Sequence, residues 1–163
     1  RAVNLTWNHV NALSGTNAEE PGRGLTAQGR AFVEKMGRLG MLVDVSHLSD
    51  PGFWDVAELV PGPFFASHSN ARQVFSHTRN LTDAQFTAII DHNGVAGLNL
   101  YAQFLGERVD LDTVVSHLEH WLELGGEKWK RPVKAALGLI YAWHLYCGIY
   151  FFVRLAAGAS FWM

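Results

Sequence analysis

The chain has 163 residues, of which 48% are hydrophobic, and its formal net charge is −2. This length and composition suffice for one ordinary domain with a hydrophobic core. The near balance of 13 basic and 15 acidic residues provides no field that would steer the chain onto a polyanion, so we expect no nucleic-acid partner. The single cysteine, Cys147, excludes an intrachain disulfide framework.

The first elements are a short strand, a long loop and a helix. Residues 2–6 are strand-like, whereas residues 8–23 contain the Asn, Ser, Gly and Pro typical of turns. Thr26 is placed to cap a helix that Gly40 ends in a left-handed conformation. The chain begins with neither an initiator Met nor a signal peptide, so we expect a piece of a longer protein.

The later elements continue an alternation of strands and helices. They are a strand over 41–47, a helix over 50–60, a strand over 63–68, a helix from a capping box at Thr82–Gln85 to Asn93, a strand over 95–100 and a helix over 111–124. Strict alternation predicts an α/β fold with parallel strands and helical crossovers. The fold is either an open doubly wound sheet or about half of a (β/α)8 TIM-like barrel.

Two of these strands end in a serine followed by a histidine, at Ser46-His47 and Ser67-His68. The carboxyl ends of parallel strands are where α/β barrel enzymes place their chemistry. Because one helix separates the two strands, their ends should lie about 5 Å apart or about twice that. Neutral imidazole is a good zinc ligand, so the pattern predicts either a shared metal site or two structural histidines.

Longer stretches around these histidines form a pattern with fixed separations of His47 from His68 and of His68 from Arg79. The segments are Gly24-Leu25-Thr26, Gly37 to His47, Ala66-Ser67-His68-Ser69-Asn70-Ala71 and Arg79-Asn80. Over about residues 1–127, this pattern resembles the membrane (renal-type) dipeptidase family of zinc metallopeptidases.

The resemblance implies a (β/α)8 barrel that hydrolyses dipeptides with two zinc ions and a metal-activated water. It makes His47 and His68 ligands of one zinc, and Arg79 the group that holds the substrate's terminal carboxylate, a role that suits a planar guanidinium. Either Trp7 or His9 takes the place of a further substrate contact. For the full-length enzyme, a homodimer is one possibility, and the cytoplasm and the periplasm both stay open as its location.

Parts of the family's pattern have no match in this sequence. These are the His-x-Asp pair of the first zinc, a glutamate that bridges both metals, and a Gly-Gly-Asp-x-Asp-Gly segment with the acid/base aspartate. We therefore assign no catalytic residue in this chain and expect low zinc affinity and low activity from it alone. Asp44, inside the second strand, is expected to be structural.

The composition changes at residue 128. Residues 128–163 contain no Asp or Glu, and a mostly apolar run over 136–153 follows several basic residues. This tail could be a membrane-spanning helix with a basic flank, an out-of-frame continuation or an ordinary core helix. We favour the out-of-frame reading over membrane contact, because the tail stands where an intact barrel needs further strands.

Two parts and three functions follow from the sequence. Residues 1–127 are predicted to be a fragment of a metallo-dipeptidase barrel domain, and residues 128–163 an apolar tail of doubtful origin. The favoured function is zinc-dependent hydrolysis of dipeptides. The alternatives are an inactive membrane-anchored interaction protein and another metal-dependent amidohydrolase, acting for example on cyclic amides.

Overall fold

A computed structural model describes residues 1–126, of which Arg1–Gly125 form one compact unit. The predictions for residues 128–163, as a membrane segment, an out-of-frame continuation or a core helix, lie outside the described residues. No helix within residues 1–126 is long and apolar enough to cross a membrane.

Four parallel strands form one sheet in the order β1-β2-β3-β4. They are β1 (Ala2–Asn4), β2 (Leu42–Asp44), β3 (Phe65–Ser69) and β4 (Val95–Leu98). The predicted α/β fold with parallel strands is therefore confirmed. Each new strand joins the same edge of the sheet, and the order does not reverse among these four strands as it would at the switch point of a doubly wound sheet.

Helices connect the strands, and local signals in the sequence set their ends. They are α1 (Ala27–Arg38), α2 (Asp50–Leu59), α3 (Asp83–Asp91), α4 (Ala102–Leu105) and α5 (Leu111–Glu123). The caps predicted at Thr26 and at Thr82 with Gln85 are confirmed, as is the left-handed Gly40 after α1. The four-residue helix α4 was not predicted.

The second strand is shorter than the sequence predicted. The prediction of a strand that runs to His47 was wrong, because β2 ends at Asp44. The amide of Leu48 donates to the carbonyl of Val45 at 3.1 Å, which closes a turn, and His47 lies in this turn with φ 79°. The apolar run thus contains a strand and a turn, which hydrophobicity alone does not separate.

The main core lies between one face of the sheet and the helices. Right-handed crossovers that always step in the same direction bring successive helices to the same face. The buried apolar side chains of this layer include Val33, Met36, Val43, Phe53, Val56, Phe64, Ala66, Phe86 and Ile89. Near the amino ends of the strands, by contrast, Leu42 is 41% exposed and Val95 is 47% exposed.

Candidate metal centre

His47 and His68 meet at the carboxyl end of the sheet. Their Nε2 atoms lie 2.8 Å apart and their ring centroids 4.9 Å apart. Two nitrogen ligands of a tetrahedral zinc ion lie about 3.3 Å apart, so the rings need to separate by only about half an ångström to hold one ion. The donor set therefore fits two ligands of a single metal.

A chain of hydrogen bonds orients the ring of His68. Ser67 Oγ donates to Asp44 Oδ2 at 2.5 Å and lies 2.6 Å from His68 Nδ1. Because a carboxylate only accepts, the hydroxyl proton of Ser67 belongs to Asp44, and His68 must donate its Nδ1–H to Ser67 Oγ. This leaves the lone pair on Nε2, which is the form that a metal requires.

Asp44 is itself held in place by the backbone around the two histidines. Its Oδ1 accepts from the amides of Ser46 and Ser67, each at 3.0 Å, and the amide of His68 donates to Ser46 Oγ at 3.1 Å. From the sequence, Asp44 is expected to be structural, and the structure adds its role in orienting His68. The signal was present in the sequence as a lone carboxylate inside an apolar strand, three residues before a histidine.

The loop between β1 and α1 holds the backbone of His47. The amide of Asn17 donates to the carbonyl of His47 at 3.1 Å, and Thr16 forms an isolated antiparallel β-bridge with Leu48. The φ of 79° lies in a region that residues other than Gly rarely adopt, although His, Asn and Asp adopt it more often than the others. Strained backbone of this kind persists where surrounding contacts fix it, and it concentrates at functional sites.

Both histidines are held in the neutral form. Burial, and after it the positive charge of Arg79, lowers the pKa of His47 to about 4. The same two causes, in the same order, lower the pKa of His68. Neutral imidazole is the form that binds metal ions, so the pair is prepared for one at neutral pH.

Arg79 is a buried cation beside the histidine pair. Its side chain is only 5% exposed, and burial lowers its pKa to about 10. The guanidinium donates to the carbonyl oxygen of His68 at 2.9 Å and to Ser69 Oγ at 3.3 Å, and it lies 5.8 Å from the ring centroid of Phe104. Within residues 1–126 its hydrogen-bond partners are neutral oxygen atoms, so the charge is available to an anion.

The two alternatives at the end of β1 occupy different places. Trp7 lies beside the histidine pair, with its ring centroid 6.5 Å from that of His47. His9 has a side chain that is 79% exposed, and its Nδ1 lies 2.7 Å from Glu19 Oε1. The structure thus brings Trp7 to the site and pairs His9 with a surface carboxylate; substrate binding by His9 stays a prediction.

The described residues do not by themselves form a complete metal centre. Within residues 1–126, no group of three or more His, Cys, Asp and Glu side chains is arranged to hold a metal ion. Stable zinc sites use three or four protein ligands. The two histidines alone are therefore fewer ligands than a stable zinc site uses.

The chain belongs to the membrane dipeptidase family (peptidase family M19), whose model matches residues 1–129. The resemblance found in the sequence over residues 1–127 is confirmed. A Klebsiella pneumoniae protein described as "Uncharacterized protein in pqqA 5'region" is 38% identical over 139 residues, which cover 78% of this chain and 51% of that protein. An uncharacterized dipeptidase of Schizosaccharomyces pombe is 33% identical over 72% of this chain and 30% of its own length.

Solved structures of relatives have the same fold. A metallo peptidase from Rhodobacter sphaeroides, liganded with a phosphinate mimic of the dipeptide L-Ala-D-Ala, matches with a TM-score of 0.72 and 36% identity over 78% of this chain and 40% of that chain. An amidohydrolase from Pseudomonas aeruginosa matches with a TM-score of 0.70 and 28% identity over 77% of this chain and 39% of that chain. This chain spans about half or less of the length of these relatives.

Proposed function

We propose that the chain forms the part of a zinc-dependent dipeptide hydrolase that holds one metal ion and the terminal carboxylate of the substrate. The observation that carries this proposal is the approach of His47 Nε2 and His68 Nε2 to 2.8 Å at the carboxyl end of the sheet. His47 and His68 would hold the metal. When bound, a metal pair of this kind supplies an activated water and polarises the scissile carbonyl.

Half of a (β/α)8 barrel is the architecture that suits this function. The unreversed strand order and the stacking of helices on one face are those of consecutive barrel units. The opposite face of the sheet carries Asp44 and Ser67 near the histidine pair. A cavity of about 240 Å³ at the amino ends of the strands is lined by Leu42, Phe65 and Val95, among others, which suits a face that the interior of a barrel would fill.

Arg79 supports a substrate with a free carboxylate. A buried guanidinium without a carboxylate partner in the described residues gains most from a planar anion that accepts two hydrogen bonds. Its donation to the carbonyl of His68 links this anion site directly to the histidine pair. The ligand of the Rhodobacter sphaeroides relative, a mimic of L-Ala-D-Ala, belongs to the same class of molecule.

A related amidohydrolase function is the second candidate. It is favoured by the match to a solved protein described as an amidohydrolase. The two functions differ in whether the substrate needs a free carboxylate next to the scissile bond. Arg79 favours the dipeptide, since a neutral cyclic amide would leave the guanidinium unpaired.

The choice between a dipeptide hydrolase and an amidohydrolase can be tested by measuring ligand binding to the chain with added zinc. Saturation-transfer NMR would compare L-Ala-D-Ala with its carboxy-terminal amide, for the unchanged chain and for Arg79→Met. We expect zinc-dependent binding of the dipeptide that is about 10-fold to 100-fold tighter than that of the amide, and loss of this preference in Arg79→Met, because a charge-assisted hydrogen-bonded pair contributes about 1.5–3 kcal/mol.

The matched control is Arg108→Met, which removes an exposed guanidinium that lies outside the site. The control should keep the preference for the free carboxylate. Equal binding of dipeptide and amide by the unchanged chain would contradict the assignment of Arg79 and favour the amidohydrolase alternative.

A further inference from the structure

Three buried polar atoms without a hydrogen-bond partner belong to residues that line one small cavity. They are His47 Nδ1, Arg79 Nε and Asn80 Oδ1, and within residues 1–126 only Thr6 Oγ1 and Arg23 Nε share this condition. His47, Arg79 and Asn80 all line a cavity of which about 10 Å³ is open to the centres of water-sized spheres. This is about the space that one water molecule needs.

The hydrogen-bonding character of two of these atoms is fixed by the structure. Asn80 Nδ2 lies 2.9 Å from the carbonyl oxygen of Phe75 and 2.8 Å from that of Phe104, and both of these oxygens accept. The amide orientation of Asn80 is therefore settled, and its Oδ1 is an acceptor. Arg79 Nε is always a donor, so the cavity presents one donor and one acceptor in addition to His47.

The third atom changes its character with the state of the metal site. In the chain without metal, His68 keeps a lone pair on Nε2, so His47 must donate its own Nε2–H across the 2.8 Å contact. His47 Nδ1 is then an acceptor. A metal on Nε2 of His47 reverses this, because the proton of the neutral ring must then reside on Nδ1, which becomes a donor.

We propose that one water molecule binds in this cavity and serves His47 in both states. It accepts from Arg79 Nε, donates to Asn80 Oδ1, donates to His47 Nδ1 without metal and accepts from it with metal. Water suits the cavity because it can both donate and accept by turning in place, and because three polar groups here match the two to four partners that buried water requires. The metal-bound half of this inference rests on the proposed function.

The consequence is that the two functional side chains share a partner. The water joins His47, a metal ligand, to Arg79, the carboxylate anchor, and Asn80 acts on both as a positioning residue. Loss of an outer partner of a metal-bound histidine typically weakens metal binding about 10-fold to 100-fold. We expect a weakening of zinc binding in this range for Asn80→Leu, measured calorimetrically on variant protein whose circular dichroism shows that it is folded.

NMR on the unchanged, metal-free chain tests the water directly. We expect the sign of cross-relaxation that marks a slowly exchanging water at Arg79 Hε, together with ring nitrogen shifts that report protonated Nε2 and bare Nδ1 in His47. Arg23 Hε is the internal control, because Arg23 Nε is also buried and unpartnered but Arg23 does not line this cavity. No slowly exchanging water at Arg79 Hε, or an equal signal at Arg23 Hε, would overturn the inference.

Addition of zinc separates this inference from the proposed function. A shift of the His47 proton from Nε2 to Nδ1, with the water signal retained, supports both. If zinc leaves the ring shifts of His47 and His68 unchanged while the water signal is present in the metal-free chain, the proposed metal site fails and the water site stands.

Discussion

At the scale of single residues, the candidate site depends on a histidine in an uncommon backbone conformation. His47 has φ 79°, which costs on the order of 1–3 kcal/mol for a residue other than glycine. The turn over residues 45–48 holds His47 in this conformation and directs its imidazole toward His68. The sequence predicted that both histidines follow strands, but it could not predict the turn, because contacts from the distant loop at Asn17 fix it.

Buried histidines, His47 among them, make the stability of the chain dependent on pH. Burial is the largest effect that lowers the pKa of four histidines, His47, His68, His77 and His117, and together with the charge of Arg79 it brings the pKa of His47 to about 4. An unfolded chain takes up these protons near pH 6.5, so between about pH 6.5 and 4 the unfolded state binds more protons than the folded state. The free energy of unfolding of the metal-free chain should therefore fall as the pH drops through this window.

Thermal unfolding followed by circular dichroism between pH 7.5 and 4.5 measures this effect. The variant His47→Asn, which tolerates positive φ and does not titrate, should show a shallower fall of Tm. Asp50 does not confuse the result, because Arg72 lowers its pKa and its contribution is lost only at lower pH. A Tm that stays level or rises toward pH 4.5 would contradict the assignment of neutral buried histidines.

At the scale of elements, short-range signals explain what the sequence predicted well. The caps at Thr26 and Thr82 and the stop at Gly40 act on backbone groups within a few residues, so these helix ends follow from local chemistry. The loop over residues 5–25 was different. Its place on the amino end of α1 depends on tertiary contacts, such as the 2.8 Å hydrogen bond from the amide of Thr26 to the carbonyl of Leu13.

Two glycines of α1 provide a test of this docking. A Cβ at Gly29 would lie well inside van der Waals contact of the Leu13 carbonyl oxygen, whereas a Cβ at Gly37 would meet nothing within 4 Å. Gly37→Ala should stabilise the chain by about 0.5–1 kcal/mol, since alanine is the better helix former. Gly29→Ala should destabilise it by about 1–3 kcal/mol through the forced shift of the loop.

Urea unfolding of the two variants gives both free energies under the same conditions. The two substitutions make the same chemical change in the same helix, so the difference between them isolates the contact with the loop. Equal effects of the two substitutions would show that the loop does not pack on α1 as described.

At the scale of the whole molecule, the alternation of strands and helices predicted the parallel sheet but not its closure. Doubly wound sheets and barrels share the same order of elements along the chain, and only the order of strands in space separates them. The neighbouring positions of β1 to β4 follow from long-range pairing, such as that of Val3 with Val43. The family resemblance supplied the barrel expectation, which physical reasoning from periodicity left open.

The site was predicted in its parts and not in its connections. Spacing and resemblance named His47, His68 and Arg79, and the structure brings these three side chains together. The hydrogen bonds of Asp44 and Ser67, and the shared cavity at Asn80, depend on side chains that are far apart in sequence. Asp44 stood out in the sequence as a lone carboxylate inside an apolar strand, but its partners did not, and Ser67 and Asn80 each have an ordinary structural explanation in the sequence alone.

The central claim is that His47 and His68 hold one metal ion between them. Anomalous diffraction at the zinc edge, from crystals of the chain grown with zinc, measures this most directly. We predict one peak at about 2.0–2.1 Å from Nε2 of both rings. A zinc peak bound to only one of the two rings, or a fully loaded crystal in which zinc binds elsewhere while the Nε2 atoms stay in contact, would contradict it.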